Sequence, residues 1–302
     1  MLWALLGLGA GFTAIPLFTE SDYLLNLGVQ LFLAVALAQS WNVLGGFTGQ
    51  ITLGHAAFFG LGALVTRTLW GNGVGILLAI IPGILVCIAF SLLIGGLAFR
   101  LRGDYFAIGT LALAEMLRII VGNLLPGIST IPSTALTNYA LLPRYYLGLA
   151  LAALVVGVAA ALARSRIGLG MQAIREDEAA AAASGVGVLG HKLLALVIST
   201  GLAGFAGGVF AYYHASYYPQ YPFSPLWSFE AILMSFIGGV GTVHGPVLGA
   251  LFYTILKEYL AVRLVEIHLL IFGTLFILIV LLLPGGLVEV WTRFRRLVHR
   301  GS

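Results

Sequence analysis

The stretch ILLAIIPGILVCIAFSLLIGGLAF, residues 76–99, carries no charged side chain and runs directly into Arg100 and Arg102. A bilayer needs about 20 apolar residues of helix to cross it, so this stretch is long enough to span one. The arginines at its end mark the cytoplasmic side, where basic residues collect. The rest of the chain keeps the same balance. Of its 302 residues, 60% are hydrophobic and 9% charged, against about 25% charged in a soluble domain. Such a chain cannot cover itself with polar surface, so most of its solvent is lipid. The mean hydropathy of +1.05 agrees. No polar stretch is long enough to build a separate soluble domain, so residues 1–302 read as one all-α, polytopic membrane domain.

Working outward, apolar runs of span length recur at 2–18, 24–44, 51–69, 106–122, 145–163, 192–213, 226–240, 246–262 and 267–284. With 76–99 they make about ten transmembrane helices. The run 226–240 is short and ends in glycines, so a broken or re-entrant helix is expected there. Met1 to Phe18 has no basic region before it and no clear cleavage site, so it reads as a retained first helix. Three basic clusters set the orientation: Arg100 with Arg102; Arg164, Arg166, Arg175 and Lys192; and Arg293, Arg295, Arg296 and Arg300. With all three in the cytoplasm, both termini are cytoplasmic, 123–144 is an outer loop and 289–302 is a basic cytoplasmic tail. Trp70, Tyr139, Tyr145, Tyr217 and Trp227 then fall at the outer interface and Trp41, Tyr105 and Trp291 at the inner one. Aromatic residues prefer both interfaces, so the basic residues alone decide the sign.

Several function classes drop out. The formal net charge of +4 comes from 15 Lys and Arg placed at the ends of apolar runs, which is a topology signal and argues against nucleic-acid binding. The single cysteine, Cys87, excludes a disulfide framework or a cysteine metal cluster. No His-Glu-x-x-His or Gly-x-Ser-x-Gly motif is present, so no catalytic residue and no metal ligand is assigned.

The glycines are grouped. Residues 45–50 with 54–56 (GGFTGQ and GHA) resemble residues 238–242 with 244–246 (GGVGT and HGP), and each is followed by Gly-Ala. Both stretches turn at the cytoplasmic side, as a parallel repeat would. Gly45 with Gly49, Gly204 with Gly208 and Gly241 with Gly245 have the spacing that lets helices approach closely. Packing is the simpler reading for Gly204 and Gly208. For 45–55 and 238–246, packing and a path- or gate-lining role both stay open, because polar groups sit among the glycines. Thr48, Gln50, Thr52, His55, Thr242 and His244 must be paired or face water, and Gly239 and Gly241 allow a broken helix between them. Glu115 and Arg118 lie three apart inside a span, where charges are functional candidates by default; an internal ion pair is the plain alternative. Glu230 reads either as a helix N-terminal acid or as an outer-face contact for solute.

The loop 164–191 is the longest polar stretch. Ala179 to Ala183 favour a helix, Glu176, Asp177 and Glu178 stand where its dipole favours acids, and Gly185 follows as a stop. A short helix on the cytoplasmic face follows, either a solvated connector or an element that takes force from a partner.

Taken in order, these blocks resemble the branched-chain amino acid permeases of the LivM type: WNVLGG at 41–46 with TGQ at 48–50 and LGHAAFFG at 53–60; LRGDYFAI at 101–108; AIREDE at 173–178; GGVGT at 238–242 with GPVLGA at 245–250; and LPGGL at 283–287. Glu178-Ala179-Ala180 followed by Gly185 resembles the EAA loop of ATP-binding-cassette importer permeases. The resemblance implies that Arg175, Glu176, Asp177, Glu178, Ala179, Ala180 and Gly185 form a coupling helix docking on an ATPase. It also implies a complex in the bacterial inner membrane: this chain, a second homologous permease subunit, two ATPase subunits and an extracytoplasmic solute-binding protein. The chain itself would bind no cofactor, with ATP and magnesium held by the ATPases. The sequence has no Gly-x-x-x-x-Gly-Lys-Ser/Thr phosphate loop, so ATP hydrolysis would need another chain. Alternating access of branched-chain amino acids, as the family's commonest substrates, is the implied activity. Urea or short amides on the same machinery, and a stand-alone ion-coupled carrier using Glu115, are the alternatives.

Overall fold

The structure, a computed structural model, describes residues 2–18, 21–101, 103–131, 139–263, 271, 273–274, 277–278 and 285–288. The expected tail 289–302 and most of the expected span 267–284 lie outside the described residues. The elements run α1 (Leu2–Phe18), α2 (Asp22–Trp41) with a π-helical turn (Asn42–Gly46), α3 (His55–Gly71), α4 (Ile76–Ala98), α5 (Asp104–Leu124), β1 (Ser129–Thr130), α6 (Leu141–Arg164), α7 (Arg166–Glu176), α8 (Glu178–Ala183), α9 (Val188–Tyr213), β2 (Ser216–Tyr217), a 3-10 turn (Tyr221–Phe223), α10 (Pro225–Gly238) and α11 (Gly245–Arg263). Among the described residues, β1 and β2 form the one sheet, an antiparallel ribbon pairing Ser129 with Tyr217 and Thr130 with Ser216.

Among the described residues, five helical stretches are long and apolar enough to cross a membrane: Asp22–Gly46, Ile76–Ala98, Asp104–Leu124, Leu141–Arg164 and Val188–Tyr213. Four more of the expected spans are helices that fall short of that measure. α1 and α3 have 17 residues each and α10 has 14. Fourteen residues rise only about 21 Å, against about 30 Å of hydrocarbon. The glycine-rich turns are the reason, since they end α10 and delay the start of α3. α11 has 19 residues but includes Lys257, Glu258 and Arg263.

α2 is the central helix. Val29, Ala36, Ala38 and Trp41 on it are fully buried, and it packs against α6, α9, α10 and α11. α3, α4 and α9 form a second tight group. A β-carbon on Gly62 would overlap the Gly204 carbonyl, and one on Gly207 would overlap the Phe59 carbonyl. On Gly204 it would meet the Cys87 thiol at 2.6 Å. Backbone therefore touches backbone along this seam, as small residues allow. Gly204 and Gly208 are packing residues, and Cys87 is a buried hydrophobe whose thiol donates to the Phe58 carbonyl at 3.1 Å.

α9 runs from the α7–α8 end of the molecule to the ribbon end. Glu230 is not in the first turn of α10; it pairs across the α10–α11 hairpin with the Lys257 ammonium at 2.6 Å.

Candidate functional site

At the end carrying α7 and α8, the two glycine-rich stretches meet. α2 winds out through Asn42–Gly46, the chain reverses at Gly49 (φ 71°), and it climbs back beside the last turn of α2. There the Trp41 indole donates to the Thr52 carbonyl at 2.9 Å, and the His55 Nε2 lies 2.9 Å from the Ser40 hydroxyl. α10 ends at Gly239 (φ 127°), and α11 restarts at Gly245 after a second turn. The Thr242 hydroxyl closes that turn, donating to the Gly239 carbonyl and accepting from the Gly245 N–H, both at 2.9 Å.

The Asn42 side chain ties the two turns together. Its amide nitrogen donates to the Thr242 carbonyl at 2.9 Å, and its carbonyl accepts from the Gly241 N–H at 2.8 Å. Only a carboxamide offers a donor and an acceptor side by side in this way. Gly241 has φ 79°, and a β-carbon there would overlap the Arg175 guanidinium. Arg175, in the last turn of α7, donates from Nη1 to the Gly46 carbonyl at 2.8 Å and more weakly to the Val240 carbonyl at 3.4 Å. The junction thus holds three pieces distant in sequence: the end of α2, the turn before α11 and the end of α7.

α7 and α8 form a bent pair that breaks at Asp177 (φ −157°, ψ 112°). The Asp177 carboxylate accepts from the N–H groups of Ala179 and Ala180 at 2.8 and 3.0 Å, which makes it the N-cap of α8. Gly185 (φ 86°) ends α8. Its N–H donates to the Ala182 carbonyl, and that of Val186 to the Ala181 carbonyl, the two bonds of a Schellman stop. The Lys192 ammonium of α9 meets the Glu178 carboxylate at 2.6 Å; the lysine is nearly covered and the glutamate half-exposed. Met171, Ile174 and Ala181 are buried beneath the pair, while Glu176, Glu178, Ala179 and Ala180 are exposed.

The residues singled out from sequence therefore fall into three places. Gly239, Gly241, Thr242 and Arg175 converge on the junction. Thr48 and His55 lie within the first stretch, both buried. Thr48 bonds back to the Leu44 carbonyl, and Gln50 reaches the Thr48 carbonyl at 3.5 Å. His244 lies in the second turn, where burial holds its imidazole below the usual range; its Nδ1 has no hydrogen-bond partner among the described residues. Glu115 stands apart, on the open face of α5, where its carboxylate meets the Arg118 guanidinium at 2.5 and 2.8 Å. α5 does touch the first stretch near its start, where the Thr110 hydroxyl accepts from the Leu53 N–H at 3.1 Å. Among the described residues no group of three or more His, Cys, Asp or Glu could hold a metal.

Sequence reasoning passes over two buried arginines at the ribbon end. Arg67 of α3 donates to the carbonyls of Ala211, His214, Ala215 and Ser129 and to the Ser129 hydroxyl, at 2.7–3.0 Å. It also sits 5.1 Å from the Tyr217 ring centre. Burial raises the Tyr217 phenol pKa, and the nearby arginine opposes that shift. Arg144 of α6 lies between the rings of Tyr139 and Tyr212, at 3.8 and 4.3 Å from their centres. A charge inside an expected span was the available signal for Arg67. Asn42 lay within a quoted block, but its partner 200 residues away was not visible.

Comparison with known proteins places this geometry. The profile of the family described as "Branched-chain amino acid transport system / permease component" matches residues 23–280. The "High-affinity branched-chain amino acid transport system permease protein LivM" of Salmonella typhimurium is 28% identical over 298 residues, covering 88% of this chain and 70% of that one. Its Escherichia coli counterpart is 28% identical over 308 residues, covering 90% and 72%. A "Probable branched-chain amino acid transport permease protein LivM" of Methanocaldococcus jannaschii is 25% identical over 248 residues, covering 74% and 71%. No solved structure matches the chain. The family match takes in the central helix, both glycine-rich turns, the α7–α8 pair and the open face of α5, and the chain belongs to the permease components of branched-chain amino acid transport systems.

Proposed function

We propose that this chain is the membrane permease subunit of an ATP-driven, binding-protein-dependent importer, and that its solutes are branched-chain amino acids. The observation that carries the reading is the exposed, capped α7–α8 pair in a chain with no phosphate loop of its own. A transporter driven by a separate ATPase needs a rigid handle for that ATPase to push, and α8 is held at both ends and packed beneath. In this reading two ATPase subunits, which hold ATP and magnesium, dock on the exposed Glu176, Glu178, Ala179 and Ala180, on the cytoplasmic side of a bacterial inner membrane. Asp177 and Gly185 shape the docking helix.

A second, homologous permease subunit covers the open face of α5. Glu115 and Arg118 on that face support this, because an ion pair is costly against lipid and acceptable in a shared polar seam. The solute path runs along that seam, with the extracytoplasmic binding protein delivering solute to its outer mouth. The gate is built from the two glycine-rich stretches: Thr48, Gln50 and His55 from the first, and Gly239, Gly241, Thr242 and His244 from the second. Alternating access follows when the handle moves the gate.

The test is a mild-detergent purification of the tagged chain from its native membrane. An ATPase pair and a second permease should copurify, and the ligand of the associated binding protein should be leucine, isoleucine or valine. A chain that emerges alone or as a homodimer, even after gentle cross-linking, would replace the importer with an ion-coupled carrier.

A further inference from the structure

We infer that Arg175 is the latch of the coupling machinery: a positioning residue that makes the α7–α8 pair and both glycine-rich turns move as one body. The inference rests on the importer reading above, and it changes what Arg175 is expected to do. Arg175 is exposed as a residue, like Glu176 and Glu178, but its Nη1 turns inward onto the Gly46 carbonyl.

The physical case starts from helix ends. The last turn of a helix leaves backbone carbonyls without partners and carries partial negative charge. Here two such ends converge. Gly46 is the last residue of the turn that closes α2, and Val240 lies just past the end of α10. One cation serves both, through Nη1 at 2.8 Å to Gly46 and 3.4 Å to Val240. An arginine suits this role better than a lysine, because its planar fork holds several donors in a fixed arrangement.

The seat is also shaped for it. Gly241 has no side chain where the guanidinium lies, and a β-carbon on Gly49 would stand 3.5 Å from the Arg175 Cα. Asn42 already locks the two turns to each other, so a pull on either carbonyl displaces both. The backbone of α7 is fixed to the handle, because Met171 and Ile174 are buried and Asp177 starts α8 two residues later. Among the described residues, Arg175 is the side chain that crosses directly from the α7–α8 pair to the turns.

The experiment uses the complete complex, with permeases, ATPases and binding protein, reconstituted in proteoliposomes with radiolabelled leucine and ATP. The quantity read is leucine imported per ATP hydrolysed. In Arg175→Ala this ratio should fall by about tenfold, the scale of one lost charge-assisted hydrogen bond. Arg175→Lys should restore part of it. Gly241→Ala puts a side chain on a left-handed backbone as well as into the guanidinium's place, so it should lower the ratio at least as far as Arg175→Ala. A merely structural role would lower assembly and leave the ratio of the assembled complexes unchanged, and that result overturns the latch.

The wild-type complex separates the two levels. Normal ATP-driven uptake by it, with an unchanged ratio in Arg175→Ala, removes the latch and leaves the importer reading standing. Failure of the wild type to import leucine removes both. Should the alanine variant not assemble, hydrogen exchange on the wild-type complex decides. Residues 42–50, 166–183 and 238–245 should change protection together between nucleotide-free and vanadate-trapped states, and independent changes would overturn the inference.

Discussion

Arg67 uses all five guanidinium hydrogens on oxygen atoms of the ribbon end, four of them backbone carbonyls. With no donor left over, it cannot also hold a solute carboxylate, so its charge serves the fold. It clamps α3 to the end of α9 and to both strands of the β1–β2 ribbon. Replacing it with Met strands those acceptors in a buried place, and unsatisfied buried acceptors cost about 1–3 kcal/mol each without being additive. Arg67→Met should therefore lower stability by roughly 3 kcal/mol, read as an earlier thermal unfolding transition in detergent by tryptophan fluorescence. Arg67→Lys keeps the charge but only three donors, and should fall between. A wild-type melting curve for Arg67→Met would disprove the clamp. Asn42 belongs to the same scale but to the other end of the molecule. Its amide is matched to one peptide edge at Gly241 and Thr242. Asn42→Asp keeps the acceptor for Gly241 but sets a carboxylate against the Thr242 carbonyl, so it should destabilise more than Asn42→Ala in the same melts.

Among the elements, α8 shows how much a short helix depends on its ends. Six residues are far too few to be helical alone in water, where isolated helices shorter than about 12–15 residues are marginal. Asp177 at one end, Gly185 at the other and Ala181 beneath supply what its length cannot. The Lys192–Glu178 pair adds less, because the glutamate is about half-exposed and solvent screens it. Asp177→Ala should cost α8 about 1 kcal/mol, seen as faster hydrogen exchange across 178–183. It should also reduce the yield of copurified ATPase, while Asp177→Asn retains most of both. Equal exchange in the two variants would mean that packing alone, and not the cap, holds α8.

For the molecule as a whole, two open faces differ in chemistry. The exposed side of α4 is apolar throughout, with Leu77, Leu78, Ile81, Leu85, Leu92, Leu93 and Leu97. That of α5 mixes Ile108, Met116, Ile119 and Ile120 with the Glu115–Arg118 pair, and the chain leaves most of this helix uncovered. Lipid suits the first face and a protein or water seam the second. Single cysteines at Met116 or Ile120 should cross-link to the second permease in native membranes. Cysteines at Leu85 or Leu93 should instead take up lipid-soluble probes and give no heterodimer. The reverse pattern would move the subunit interface to α4.

Local physics was legible in the linear chain. The uncharged run at 76–99 had to be a helix in lipid whatever surrounded it, since an unpaired backbone is too costly there. Gly185 had to stop the helix before it, and a charge pair at 115 and 118 had to share a face. Length was only partly legible: the run at 226–240 was short and ended in glycines, and it forms a short helix, but the run at 51–69 looked like a full span, and its glycines turn the backbone and leave a shorter helix. Contacts between distant residues were not legible at all. Asn42 meets Thr242 across 200 residues, and Arg175 crosses to Gly46 and Val240, because four packed helices bring those backbone edges together. Polar residues in a sequence announce that a partner is required; only the tertiary structure chooses it, since hydrogen bonds act over about 3 Å and depend on how whole helices pack.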